Sequence, residues 1–429
     1  MEIRRQNDIV AFRVNGEAPL AFHARNLEVA EISEELWNHF SHIEANELQD
    51  ALTEWNNEEN PAVKSGKASM QIRSLTINVT QICNLKCTYC AAGGDGTYGA
   101  PQTKISVEKT LPQLKYFLEQ LSNEGTFRIT FLGGEPLLYP EGIRAIANYV
   151  TLMTAGRNLR PEFSIVTNGT LFSDSNIQLL TDIGCNITVS VDGDSQINDQ
   201  VRPMKNGQST SSLIAEGLQK VFAAKELLGM ISLHGVFTAE NMNVVEAYNF
   251  YRQFPADKYE FTYGVSELDE ATNSKFISEM ELIASQAYQD LGEDGLRQIG
   301  FFRNVFAALD EQRRTENFCG AGKSFLVVDA KNNLFTCPWD VGQKQEQVGQ
   351  GAELNKAELE KYSDSLINQH NCHTCWARYL CGGGCMFIHK QGTGSKHTKN
   401  KQFCARMQSL LSIALLYYKK CRDSASEVH

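Results

Sequence analysis

Apolar and polar positions along the chain fall into three regimes. Near the start, the short apolar runs IVAFRV (9–14) and LAFHA (20–24) flank an Asn15-Gly16 turn signal, which predicts two strands. Residues 32–55 place apolar side chains at helical spacing, and the polar stretch 56–69, with its Pro and Gly, reads as a linker. Residues 1–70 are therefore expected to form a small strand–helix unit.

From residue 71 to about 315 the pattern alternates. Candidate strands are 74–79, 127–132, 163–167, 187–191, 231–237 and 259–265, with helical stretches such as 106–121 and 214–228 between them. Six strands with helix-length connections predict an α/β fold with a parallel sheet, either open and doubly wound or a partial barrel. In both, ligands gather at the carboxyl ends of the strands. The chemically loaded residues sit there. Cys83 follows the first strand, Gly133-Gly134-Glu135-Pro136 the second, Thr167-Asn168-Gly169 the third and Asp192-Gly193 the fourth. Residues 271–313 read as helical. From Cys319 onward, short strands (325–329, 333–337) alternate with Gly-rich turns and cysteines, and 404–420 reads as a closing helix.

Charge narrows the function classes. Over 429 residues, 40 Lys+Arg stand against 51 Asp+Glu, a net charge of −11, without the basic footprint of a general nucleic-acid or anionic-membrane binder. The richest apolar run, 410–418, is too short to span a bilayer, and the first residues lack the apolar core of a signal peptide, so a cytoplasmic location is expected. In that setting the twelve cysteines read as metal ligands or reactive thiols.

Cys83, Cys87 and Cys90 are spaced C-x3-C-x2-C directly after a strand. Soft thiolates suit iron–sulfur clusters or zinc, and three of them can hold one face of a cubane while leaving a fourth iron open. A structural zinc site would need a fourth ligand, and no further Cys or His stands close by in sequence. This spacing, with Tyr89 before the last cysteine, resembles the signature of the radical S-adenosylmethionine (SAM) superfamily. Gly133, Gly134 and Glu135 match the GGEP motif of that family, while Asn168, Ser190 and Arg202 match positions that line its SAM pocket. The resemblance covers roughly residues 72–270. It implies a partial (β/α)6 barrel over 71–315, a SAM-binding 4Fe-4S cluster on the three cysteines, and a 5′-deoxyadenosyl radical that abstracts hydrogen. It implies an ammonium contact at GGEP, with Glu135 as acceptor, and a carboxylate contact at Arg202.

In the last third, Cys319 and Cys337 precede the run Cys372, Cys375, Cys381, Cys385, and Cys404 follows. This spacing resembles the SPASM extension of radical SAM enzymes, here 316–429, which holds two auxiliary Fe–S clusters. Carried over, Cys372, Cys375, Cys381 and Cys404 would hold the outer cluster, and Cys319, Cys337 and Cys385 the inner one. A four-thiolate zinc site on Cys372, Cys375, Cys381 and Cys385 is the alternative. Some relatives have another cysteine shortly before the position of Cys319; residues 311–318 contain none. That leaves an inner iron open to a substrate thiolate or to an unassigned ligand, with Cys421 a remote candidate. Asn332 stands where family members often have Gly, and Asn tolerates a left-handed backbone.

Several other features read as structural. GAGKS (320–324) lacks the first glycine of a phosphate loop, having Asn317 there. Cys185 reads as a buried small hydrophobe, His373 and His389 as supporting or surface groups, Asp340 as part of a solvated turn, and GGDGTYG (93–99) as a turn beside the cluster. A radical SAM core with a SPASM extension resembles maturases of ribosomally synthesised peptides, which install thioether or carbon–carbon bonds. The partners implied are a precursor peptide, leader plus core, and a low-potential electron donor such as flavodoxin or ferredoxin, with no nucleic acid and no membrane. The leading unit is either a leader-recognition fold or an extra layer on the barrel. A formylglycine-generating sulfatase maturase is the closest enzymatic alternative. Those enzymes have an acidic residue after the cysteine matching Cys337, where this chain has Pro338. A zinc-binding scaffold is the non-catalytic alternative.

Overall fold

The computed structural model describes residues 2–14, 16–40, 47–65, 70–90, 103–264 and 269–426. These group into two compact units, one of residues 1–68, 266–319 and 364–429, the other of 69–265 and 320–363.

The first unit opens with an antiparallel meander of β1 (Glu2–Gln6), β2 (Ile9–Arg13), β3 (Leu20–His23) and β4 (Glu28–Glu31). The two expected strands are the central pair. They read as unbroken apolar runs because both of their faces are covered. Ile9, Ala11 and Ala21 pack with Trp37 and Leu52 of the following helices, while the rings of Phe12 and Phe22 lie against Trp376. The long helical pattern at 32–55 resolves into Glu34–His39, capped by Ser33, and Glu47–Asn57. Helix Glu270–Gln298, kinked at Gly292, and helix Gly300–Asp310 pack on the final helix, Lys401–Ser426.

The second unit is a ten-stranded sheet. Its parallel strands are β5 (Ser74–Thr80), β6 (Glu124–Gly133), β7 (Asn158–Thr167), β8 (Asn186–Ser190), β9 (Ile231–Phe237) and β10 (Lys258–Tyr263). Beyond β5 come β11 (Phe325–Val328), parallel to it, and then the antiparallel β12 (Asn333–Phe335), β13 (Gln347–Gln350) and β14 (Glu353–Leu354). Strands β5 to β10 are laid down in chain order without a reversal. A doubly wound sheet reverses direction at a switch point; this one does not, so its crossovers all run the same way, as in a partial (β/α)6 barrel. Residues alternate across the sheet: Phe127, Ile129 and Phe131 of β6 are fully buried, while Leu132 lines a cavity beyond the strand ends.

Candidate functional site

Cys83, Cys87 and Cys90 occupy the segment that leaves the carboxyl end of β5, and the ends of β6 pack directly on it. Gly134 N–H donates to Thr80 O (2.9 Å) and Glu135 N–H to Ile82 O (2.8 Å). The approach is so close that a Cβ on Gly133 would lie 2.0 Å from Thr80 O, and one on Gly134 2.1 Å from Ile82 O. Only glycine fits at either position, and Gly133 also has φ +137°. The glycines of GGEP thus seat the first cysteine of the loop.

A cavity of about 350 Å³ is lined by Cys83, Cys87 and Cys90 together with Tyr89, Gly133, Gly134, Asn168, Ser190 and Arg202. Glu135 is not among its walls. Its carboxylate is fully buried behind them, accepting from Leu137 N–H (3.0 Å), Thr167 Oγ1 (2.7 Å) and Asn168 N–H (2.7 Å). Burial raises its pKa, against the pull of those hydrogen bonds. In this arrangement Glu135 ties β6 to β7. Asn168 turns its amide to Asn84 Oδ1 (2.8 Å) and to Cys83 Sγ (3.8 Å).

Across the cavity, Arg202 Nη1 donates to Tyr89 Oη (2.5 Å), which donates to Asp192 Oδ2 (2.5 Å). Asp192 Oδ1 accepts from Val236 N–H (3.0 Å). Burial works against the charge of Arg202, but Cys87, Tyr89 and Asp192 hold it protonated. Its Nε is buried and makes no hydrogen bond among the described residues. Arg202 lines the cavity beside the three thiols, and a charged guanidinium there fits the carboxylate of a bound ligand. Burial raises the thiol of Cys83 to about 11 and that of Cys87 in the same direction. A coordinated metal reverses that preference by deprotonating the thiol outright.

The sequence did not single out Asp192 as part of this chain, nor the far wall of His234, Val236, Thr262, Tyr263 and Trp339. His234 pairs in register with Ser190 on the neighbouring strand, and that alternation was the available signal. Its Nε2 lies 2.8 Å from Thr262 Oγ1, and burial lowers its pKa to about 4.

A separate cavity of about 340 Å³ in the first unit is lined by Cys372, Cys375, Cys381 and Cys404. Cys375 N–H donates to Cys372 O (2.8 Å), and Gln408 Nε2 donates to Cys375 Sγ (3.5 Å). Between Cys381 and Cys385 the chain takes three left-handed steps at Gly382, Gly383 and Gly384. His389 is buried against this turn, its Nε2 3.3 Å from Gly383 O and its Nδ1 accepting from Asn400 N–H (3.2 Å). Cys385 lies outside this cavity, at the start of helix Met386–Thr393. Cys319 belongs to the first unit and Cys337 follows β12 in the second. Among the described residues no group of three or more His, Cys, Asp or Glu is arranged to hold a single metal ion.

The remaining expectations can be placed too. Asn332 adopts φ +64° and its amide donates to Thr110 Oγ1 (2.8 Å). Cys185 is fully buried. Lys323 of GAGKS is buried, with its ammonium on Tyr362 O, and offers no phosphate cradle. Asp340, expected in a solvated turn, is instead fully buried in a short helical turn, Pro338–Asp340. The GGDGTYG stretch (93–99) lies outside the described residues.

The radical SAM superfamily is matched over residues 77–249, the span that carries the three loop cysteines and every SAM-pocket position named above. These residues form a radical SAM domain. The domain implies SAM and a 4Fe-4S cluster, and the donor set fits both: three soft thiols on one cavity, with Arg202 in its wall. An uncharacterised protein of Methanocaldococcus jannaschii is 27% identical over 46% of this chain, which spans 61% of that protein's length. The mycofactocin maturase of Mycobacterium ulcerans is 24% identical over 73% of this chain and 82% of its own. Among solved structures, native anSMEcpe with bound AdoMet superposes with a TM-score of 0.66 at 19% identity, covering 82% of this chain and 99% of that one. That likeness shows the fold. Among the described residues no helix is long and apolar enough to cross a membrane.

Proposed function

We propose that the protein is a radical SAM maturase that abstracts hydrogen from a ribosomally made precursor peptide and installs a thioether or carbon–carbon cross-link. The observation that carries this reading is the shared lining of one cavity by the three loop thiols and the SAM-pocket residues. Similarity to a mycofactocin maturase over most of the chain supports a peptide as the substrate.

When bound, SAM and its cluster would supply the radical; the chain supplies position and exclusion of water. Cys83, Cys87 and Cys90 would hold the cluster, and the backbone at Gly133 and Gly134 would face the methionyl amino group. Arg202, kept charged by Tyr89 and Asp192, would hold the methionyl carboxylate with its guanidinium. Asn168 and Ser190 would complete the pocket. His234 and Thr262 present a polar wall opposite, where a substrate side chain would enter.

The outer auxiliary cluster is assigned to Cys372, Cys375, Cys381 and Cys404, which share one cavity. The inner one is assigned to Cys319, Cys337 and Cys385 on the family resemblance. Residues 1–70 carry two readings, a leader-recognition fold or an extra layer on the barrel.

The test is co-expression with a candidate precursor under anaerobic conditions. Loss of two hydrogens from a peptide that becomes internally linked supports the proposal. An aldehyde formed on a sulfatase-derived peptide would replace it with formylglycine formation. Tightly bound zinc without iron would replace both with a scaffold.

A further inference from the structure

The segment that carries the outer four cysteines is charged unlike the rest of the chain. From residue 365 to 422 there is no Asp or Glu, while Arg378, Lys390, Lys396, Lys399, Lys401, Arg406, Lys419, Lys420 and Arg422 all fall there, in a chain of net charge −11. Three of these cations line the cavity of Cys372, Cys375, Cys381 and Cys404, namely Arg378, Lys399 and Lys401.

They are not equivalent. Arg378 is buried and ion-paired with Asp8. Lys399 and Lys401 are exposed, and among the described residues neither has a carboxylate partner. Lys399 donates to Asn371 O (2.9 Å), which holds its stem beside Cys372. Lys401 opens the helix Lys401–Ser426, whose N-cap is Asn400, accepting from Phe403 N–H (2.8 Å). A cation there opposes the helix dipole, which favours acidic residues in the first turn. Folding alone gives no reason for a lysine at that place.

We propose that the lysine-bearing mouth of this cavity docks an acidic one-electron carrier protein, which delivers its electron to the outer cluster. The proposal rests on the assignment of that cluster made above. Two features favour a redox carrier over any other acidic partner. The lysines rim the thiol-lined cavity itself, and electron transfer requires close approach to the cluster but no buried interface. A local positive patch on a negative molecule steers and orients such a partner, raising the association rate at low salt. One electron passes from the carrier, which is oxidised, to the cluster, which is reduced, and no bond or proton is exchanged.

The experiment uses the anaerobically reconstituted full chain, with cluster bleaching followed by stopped flow against reduced flavodoxin over a range of ionic strengths. The expected rate falls steeply with salt, and Lys401→Glu or Lys399→Gln lowers it several-fold to about tenfold at low salt. Reduced methyl viologen, a small cation, should reduce the variants no more slowly than the wild type. A salt-independent flavodoxin rate, or an equal loss with both donors, overturns the docking proposal. So does a Lys401→Glu protein that loses precursor-peptide binding while keeping its flavodoxin rate. Iron content separates the underlying assignment. If Cys372→Ser and Cys404→Ser proteins retain all the iron of the wild type, the outer cluster is wrong, and the proposal falls with it. If iron is lost but the rates ignore charge, the cluster stands and only the docking site falls.

Discussion

Arg378, in the wall of the outer thiol cavity, forms an ion pair with Asp8 at the turn between β1 and β2. The same arginine donates to Cys375 O (3.0 Å), so the amino-terminal sheet and the cysteine loop are tied through one guanidinium. Trp376, stacked on Phe12, makes the apolar half of that tie.

Removing the carboxylate leaves a largely buried cation without its partner. Asp8→Ala is therefore expected to cost about 3 kcal/mol, the low end of the range for a broken buried pair, since Asp8 is partly exposed and also meets Arg25 (2.8 Å). Urea unfolding of wild type and variant measures this, and iron content should fall in parallel. A loss below about 0.5 kcal/mol would mean that the pair acts as an ordinary surface salt bridge.

Gly134→Ala tests how the GGEP turn seats the cysteine loop. The added Cβ meets backbone, Ile82 O at 2.1 Å and Cys83 N at 2.6 Å, so the loop itself must shift. A destabilisation of about 1–3 kcal/mol is expected, with weakened SAM binding by isothermal titration. Gly156→Ala is a control, since a Cβ there meets nothing within 4 Å; the positive φ of +76° sets its modest cost.

The pH dependence of stability carries a signature of His389. Burial lowers its pKa to about 4, and its Nδ1 accepts from Asn400 N–H, which requires an unprotonated nitrogen. Below the ordinary value near 6.5, the unfolded chain takes up a proton that the fold refuses. The contribution is thus fully present above about 6.5 and lost as pH falls toward 4, by at most about 1.4 kcal/mol per pH unit. His389→Gln should flatten that part of the profile while lowering stability at pH 7. An unchanged slope between pH 6.5 and 4.5 would show that His389 does not titrate with unfolding.

Much of this was legible in the sequence, for identifiable reasons. Strands β5 and β8 alternate apolar with polar or β-branched residues, and each ends where chemistry begins, at Cys83 and Asp192. The polar edge strand Glu2–Gln6 was not legible: it reads EIRRQ, because an edge needs little burial. Residues 32–55 looked like one helix since both pieces bury their apolar residues on the same sheet. At the site, cysteine spacing is local and could be read directly. The role of Asp192 could not, because its partners Tyr89 and Val236 come from distant parts of the chain. The GGEP motif marks Glu135, whose oxygens in this structure accept from Thr167, Asn168 and Leu137. A motif names the residue without showing which way its side chain turns.

The central claim is that Cys83, Cys87 and Cys90 together hold the cluster on which SAM is cleaved. The measurement is 5′-deoxyadenosine formed from SAM under reducing, anaerobic conditions, comparing wild type with the triple Cys83→Ala, Cys87→Ala, Cys90→Ala variant. The wild type should form it. The variant should form none, fold with its second thiol cavity intact, and hold about four fewer irons. Undiminished 5′-deoxyadenosine from the variant would contradict the account.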